Sequence, residues 1–151
     1  MAKHSEIKNK NESLGFLIWQ LSNLWQRNVN SLLLKHNLTH AQYAVLDAIN
    51  SLSTNSKNIA QNKVCEFAGT DKMMTSKIIS SLQEKKFAKR VENKEDLRSN
   101  SILITEKGKT ACLKSKAELK VFEAKFFSSL DKKEKGFHKK VEAIILASNN
   151  K

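Results

Sequence analysis

Proline is absent from this 151-residue chain, and only four glycines and two cysteines occur in it. With so few breakers, long and rarely interrupted helices are expected. Cys65 and Cys112 are too few for a disulfide framework, and nothing about them points to an oxidising compartment. No apolar run approaches the roughly 20 residues that span a bilayer. The opening stretch, MAKHSEIKNKNES, has no hydrophobic core of the secretory-signal kind. A cytoplasmic protein with no membrane partner is therefore expected. Also missing are a glycine-rich phosphate loop, a HExxH zinc site and a G-x-S-x-G nucleophile elbow, so neither catalysis nor a cofactor is expected. The histidines do not cluster. His36 and His40 are four apart, but Asn37-Leu38-Thr39 breaks the helix between them, and His4 and His138 are isolated. No metal site is expected.

What is present is a globular composition, 40% hydrophobic and 28% charged, on a length that suits one domain over residues 1–151. The formal net charge of +12 calls for a polyanionic partner, nucleic acid before an anionic membrane. The excess lysine and arginine are spread along the chain, so basicity supports DNA binding without locating it.

Residues 1–11 read as a polar, frayed arm. From Ser13, the stripe Leu14, Leu17, Ile18, Leu21, Leu24, Trp25, Leu32 and Leu33 predicts one long helix over about 12–36, more apolar than an outer helix of a small domain requires. Thr39 is placed to cap a second helix that runs to about Leu52. Residues 53–58 form a loop, Ile59-Ala60 a brief strand, and Gln61–Ala68 a short helix. Gly69-Thr70 is the turn that joins the two helices of a helix-turn-helix. Thr105 can cap a further helix to about Ser129, and Asp131 a last one in which Phe137, Val141, Ile144 and Ile145 share a face.

Residues 70–108 are the centre of the chain. Met74, Ile78 and Leu82, with Ile79 beside them, predict a helix with one apolar face, and Asp71 stands at its start as a cap. Lys72, Met73, Thr75, Ser76 and Lys77 are assigned to the opposite, exposed face. Two strand-like runs follow, Phe87–Glu92 and Ser101–Ile104, joined by the polar stretch 93–100. A helix followed by a charged β-hairpin is the outline of a winged helix-turn-helix, which puts one helix in the major groove and a basic loop on the adjacent backbone or minor groove. The fold class is then mainly α with a small β-hairpin (α+β). A winged helix-turn-helix over about 38–105 is flanked by long helices over about 12–36 and 106–148. A unit of this size cannot bury Leu14–Leu24 and Phe122–Leu146 within itself, so those helices are expected to pack on a second copy of the chain.

At these residues the sequence resembles a known family. Asp96-Leu97-Arg98-Ser99, followed by Ile102-Leu103-Ile104-Thr105-Glu106-Lys107-Gly108, is similar to the wing signature of MarR-type bacterial transcription regulators. Leu82–Arg90 resembles that family's segment leading into the wing, and Leu38–Leu46 resembles its second helix. The three matches fall in order, so the resemblance covers about 12–148. It departs at Lys86, where the family usually has glycine. A lysine there either accepts left-handed strain of order ~1 kcal/mol or changes how the helix ends. The resemblance implies a homodimer built through terminal helices and a cytoplasmic regulator of transcription, most simply a repressor.

The DNA-binding candidates are Lys72, Met73, Thr75, Ser76 and Lys77 on the helix and Lys94, Asp96, Arg98, Ser99 and Asn100 on the wing. Lysines suit phosphates or guanine edges, hydroxyls suit either, and Met73 suits a thymine methyl. Arg98 suits a narrow A·T minor groove, with Asp96 orienting its guanidinium. The family's matching residues have these roles, and Ser99 is carried over as a wing contact. Lys94 and Asn100 are lesser phosphate candidates. Lys85, Lys86, Lys89 and Arg90 form a basic cluster divided between phosphate contact and plain solvation. Many family members bind small aromatic or lipophilic anions near the dimer helices; Trp19, Trp25, His40 and Tyr43 are the candidates to line such a cleft, and no residue pattern specifies the effector. Cys65 and Cys112 are read as small apolar packing residues. The expected partner is a double-stranded, pseudo-palindromic operator. Two alternatives stand beside it: a winged-helix protein-interaction module, and a sequence-tolerant, nucleoid-type DNA binder.

Overall fold

The computed structural model describes residues 13–92, 100–130 and 136–149. They form two compact units, divided between Glu118 and Leu119. In the first unit the order is α1 (Leu14–Leu34), α2 (His40–Ser53), α3 (Gln61–Ala68), α4 (Lys72–Glu84), β1 (Ala88–Glu92), β2 (Asn100–Ile104) and the greater part of α5 (Glu106–Phe126). The second unit holds the end of α5 and α6 (Phe137–Asn149). The helix-rich, single-hairpin class read from the sequence is the class found. Among the described residues no helix is long and apolar enough to cross a membrane.

The helix starts are set by side-chain caps. Ser13 accepts from the Phe16 amide and opens α1. Thr39 and Gln42 make a reciprocal capping box on α2: Thr39 Oγ1 accepts from Gln42 N (3.2 Å), and Gln42 Oε1 from Thr39 N (3.1 Å). Asp71 Oδ1 accepts from Met74 N at 2.8 Å and opens α4. Thr105 Oγ1 accepts from Gly108 N and opens α5. The cap expected at Asp131 lies outside the described residues.

Three helices end alike. Shortly past each helix end an amide bonds to the carbonyl five residues back: Leu38 to Leu33, Thr70 to Cys65 and Phe87 to Leu82, at 2.8–3.1 Å. This closure needs a left-handed residue just before it. Asn37 (φ 59°), Gly69 (φ 64°) and Lys86 (φ 61°) supply it. Lys86 therefore keeps the helix ending that a glycine would allow and accepts the strain.

The core of the first unit is aliphatic: Val29 and Leu33 of α1, Val45 and Ile49 of α2, Val64 of α3, Ile79 and Leu82 of α4, and Ile102 of β2 are all fully buried. β1 and β2 pair antiparallel, Ala88 opposite Ile104 and Glu92 opposite Asn100. The brief strand expected at Ile59-Ala60 is an isolated bridge: Ala60 pairs with Ser101, and Ile102 N donates to Ile59 O at 2.8 Å. That bridge ties the hairpin to the start of α3.

Candidate nucleic-acid interface

α4 is the element the other parts position. Its inner face is Thr75, Ile78, Ile79 and Leu82, spaced i, i+3, i+4, i+7 and buried. Its outer face carries Lys72, Met73, Lys77 and Ser80, all exposed, with Ser76 half-buried at the edge. Two assignments change. Thr75 is completely buried rather than exposed: its hydroxyl donates back to Asp71 O (2.8 Å) and lies 2.7 Å from Thr70 Oγ1, which pins the turn to the helix. Met74, assigned inward, is 42% exposed, because in the first turn it lies on the flank of the stripe that Thr75 begins. The i, i+3, i+4, i+7 spacing was legible in the sequence; a polar hydroxyl in its first place disguised it.

The hairpin base sits at the C-terminal end of α4. Asn100 is exposed and opposite Glu92. Lys94, Asp96, Arg98 and Ser99 lie outside the described residues. The basic cluster at the helix–strand junction divides. Lys85 Nζ donates to Asn37 O and to Gln42 Oε1, both at 2.8 Å, and Gln42 Nε2 donates to Ser81 Oγ at 3.0 Å. These bonds fasten the start of α2 to the end of α4. Arg90 turns back onto α4 and bonds Ser76 O, Ser80 Oγ and Gln83 Oε1. Lys89 and Lys86 are exposed. Lys107 Nζ donates to Lys85 O at 3.0 Å and stands over the Phe87 ring, 5.1 Å from its centroid. Sequence pattern placed Arg90 only in a basic cluster and did not show the Arg90–Gln83 or Gln42–Lys85 bonds, whose partners are seven and 43 residues apart along the chain.

Of the aromatic cleft candidates, Trp25 and His40 meet edge to face at 5.1 Å, and the buried Trp25 indole N–H has no hydrogen-bond partner among the described residues. Trp19 instead stacks on Phe16 and is 60% exposed. Cys112 is buried, with Sγ 3.6 Å from Asp47 Oδ1. Burial first, then the Asp47 charge and bond, push its thiol up to about 12. Such a thiol stays protonated and unreactive. No three His, Cys, Asp or Glu side chains among the described residues converge as metal ligands.

A turn-linked helix pair, an outward basic second helix and a hairpin fastened to its end define a winged helix-turn-helix protein. Residues 27–115 match the family model described as transcriptional regulator SarA/Rot. YdcH of Bacillus subtilis (strain 168), an uncharacterized HTH-type transcriptional regulator, is 31% identical over 134 residues, 89% of this chain and 91% of that one. The chain belongs to the SarA/Rot family of transcriptional regulators. Its fold is that of the MarR-type regulators. The S. aureus MepR–DNA complex is similar to it with a TM-score of 0.78 at 17% identity, covering 93% of this chain and 99% of that one. A mutant E. coli MarR complexed with operator DNA matches with a TM-score of 0.76 at 20% identity, covering 88% and 93%.

Proposed function

We propose that this regulator binds a pseudo-palindromic operator as a homodimer and represses transcription until a small effector releases it. The observation that carries the DNA-reading part is the division of α4. Its aliphatic face and Thr75 are consumed by the core, while Lys72, Met73 and Lys77 project from a side-chain-capped helix with no bonding partner among the described residues. The MepR and MarR structures bound to DNA support the same reading. On the wing, Arg98 oriented by Asp96 enters the minor groove, and Lys94, Ser99 and Asn100 take phosphates. The chain works in the cytoplasm, on chromosomal DNA.

Dimerisation is supported by the terminal helices. The first half of α1 exposes Leu14, Ile18, Trp19 and Leu24, and α6 buries no residue, leaving Val141, Ile144, Ile145 and Leu146 outward. Apolar faces of this extent in an isolated chain are the mark of an association surface. We take residues 1–151 as one MarR-type domain, with helices over about 12–36 and 106–148 joining the two copies. Half-sites then lie about 34–36 Å apart, one turn of the duplex.

For the effector, two places have suitable chemistry. One is the Trp25–His40 pair, where the Trp25 indole N–H has no hydrogen-bond partner among the described residues. The other is an open groove of about 590 Å³ lined by Lys35, His36, Phe87, Lys107 and Lys114 together with the single carboxylate of Glu106, a lining with a net positive charge that suits a carboxylate. Retention of genomic fragments on the immobilised protein, followed by binding assays across salt, tests the operator reading. A steep loss of affinity with salt and a preference of at least ~10³-fold over random duplex are expected. A flat salt dependence, or retention of proteins in place of DNA, sinks it. Equal affinity for every duplex would indicate sequence-tolerant binding instead.

A further inference from the structure

Arg90 is on β1, the strand that enters the wing, at the middle of the hairpin opposite Ile102. Its guanidinium is directed across to α4. Nη2 donates to Ser76 O at 3.2 Å, and Nη1 donates to Ser80 Oγ at 3.2 Å and to Gln83 Oε1. The three acceptors are spaced i, i+4, i+7, so they form one row along the edge of the outer face. A planar, always-charged fork with five donors fits such a row; a lysine, with a single donor centre, does not.

Two consequences follow. Ser80 Oγ already donates to Ser76 O at 3.1 Å, so accepting from Arg90 occupies it in both senses, and Gln83 Oε1 is occupied too. On the C-terminal half of α4 the Ser80 hydroxyl and the Gln83 side-chain carbonyl are thus taken up by Arg90, whereas in the first half Lys72, Met73, Lys77 and the Ser76 hydroxyl have no hydrogen-bond partner among the described residues and are available to base edges. The strand leading to the wing is also tied to two turns of α4, so the hairpin cannot swing independently of that helix.

We infer that Arg90 is a positioning residue for DNA reading: it sets the angle of the wing against α4 and confines readout to the first half of that helix. The inference rests on the operator-binding reading above. The rival role for the same side chain is a direct phosphate contact, and the two are separable because a phosphate contact needs only a positive charge.

The test compares the wild type, Arg90→Lys, Arg90→Gln and Gln83→Ala on a duplex retained from the genome and on random duplex of equal length, across salt. Positioning predicts that Arg90→Lys and Arg90→Gln both lose about tenfold in affinity for the retained duplex, the size expected for losing charge-assisted bonds. Binding to random duplex should hardly change, and the slope of log K against log salt should stay put. Gln83→Ala, which removes no charge and alters a half-buried position on the helix edge, should shift preference in the same direction. Three results overturn the role: full binding by Arg90→Lys, a uniform loss on both duplexes by Arg90→Gln with the slope reduced by about one, or an unaltered preference in Gln83→Ala. Wild-type protein that binds no duplex overturns the operator reading itself, a different and recognisable outcome.

Discussion

A methyl group added to Gly108 would stand 2.0 Å from the carbonyl oxygen of Phe87. The first turn of α5 and the residue that enters β1 therefore touch backbone to backbone. The same carbonyl accepts from Thr105 N at 3.0 Å and from Thr105 Oγ1 at 3.2 Å. Thr105 and Gly108 thus act together: one bonds the hairpin exit to its entrance while capping α5, and the other lets the helix come close enough for that bond. Since the atom in the way is backbone, it cannot rotate aside. Gly108→Ala should cost about 3 kcal/mol or more, measured as a lower urea midpoint.

Lys86 occupies a left-handed position that a side chain disfavours by roughly 1 kcal/mol. Its own side chain is exposed and has no bonding partner among the described residues, whereas its carbonyl accepts from Thr105 Oγ1 at 2.7 Å and is kept by any residue. Lys86→Gly should raise stability by about 1 kcal/mol, a melting-temperature gain of about 3 °C for a chain this long. An unchanged or lower melting temperature would show that the lysine side chain contributes something these bonds do not include.

Thr75 and Lys77, two residues apart, should respond in opposite ways. Thr75→Val keeps the shape but loses the buried hydroxyl bonds to Asp71 O and Thr70 Oγ1, and should cost about 1–2 kcal/mol. Its salt slope for DNA should match the wild type. Lys77→Ala, on the exposed face, should leave stability within about 0.5 kcal/mol yet reduce the salt slope by about one. Chemical denaturation together with a salt titration of duplex binding checks both variants.

Cys112 gives the chain a pH signature. Its thiol, which ordinarily titrates at 9.0, is pushed up to about 12 in the folded state by burial and by Asp47. The folded chain therefore holds this proton more tightly than the unfolded one. Its contribution is fully present below pH 9.0 and is lost as pH rises from there towards about 12. Relative to Cys112→Ala, the wild type should lose stability over that window and not below it. At neutral pH the native thiol should resist alkylation until the protein unfolds. Fast native-state labelling of Cys112 would contradict the burial that sets its titration.

Much of the framework was legible because it is local. Thr39, Asp71 and Thr105, each read as a cap, accept from an amide three residues on and open the helix that follows. Gly69 marked the turn, and the length and order of the elements followed from apolar spacing alone. Among the wing candidates only Asn100 falls within the described residues.

The sequence by itself determined the order of the helices and the caps that open α2, α4 and α5, that a basic helix precedes a hairpin, and that the terminal helices carry more apolar surface than one chain conceals. Such features depend on neighbours three to seven residues apart, whose geometry a helix or strand sets in advance. Only the tertiary structure decided that Thr75 belongs to the core, that Lys85 and Arg90 are committed to Gln42 and to α4, and that Gly108 must let a backbone pass. Each of these depends on which distant segment arrives at a given side chain. That is decided by the packing of the whole core, and no local pattern encodes it.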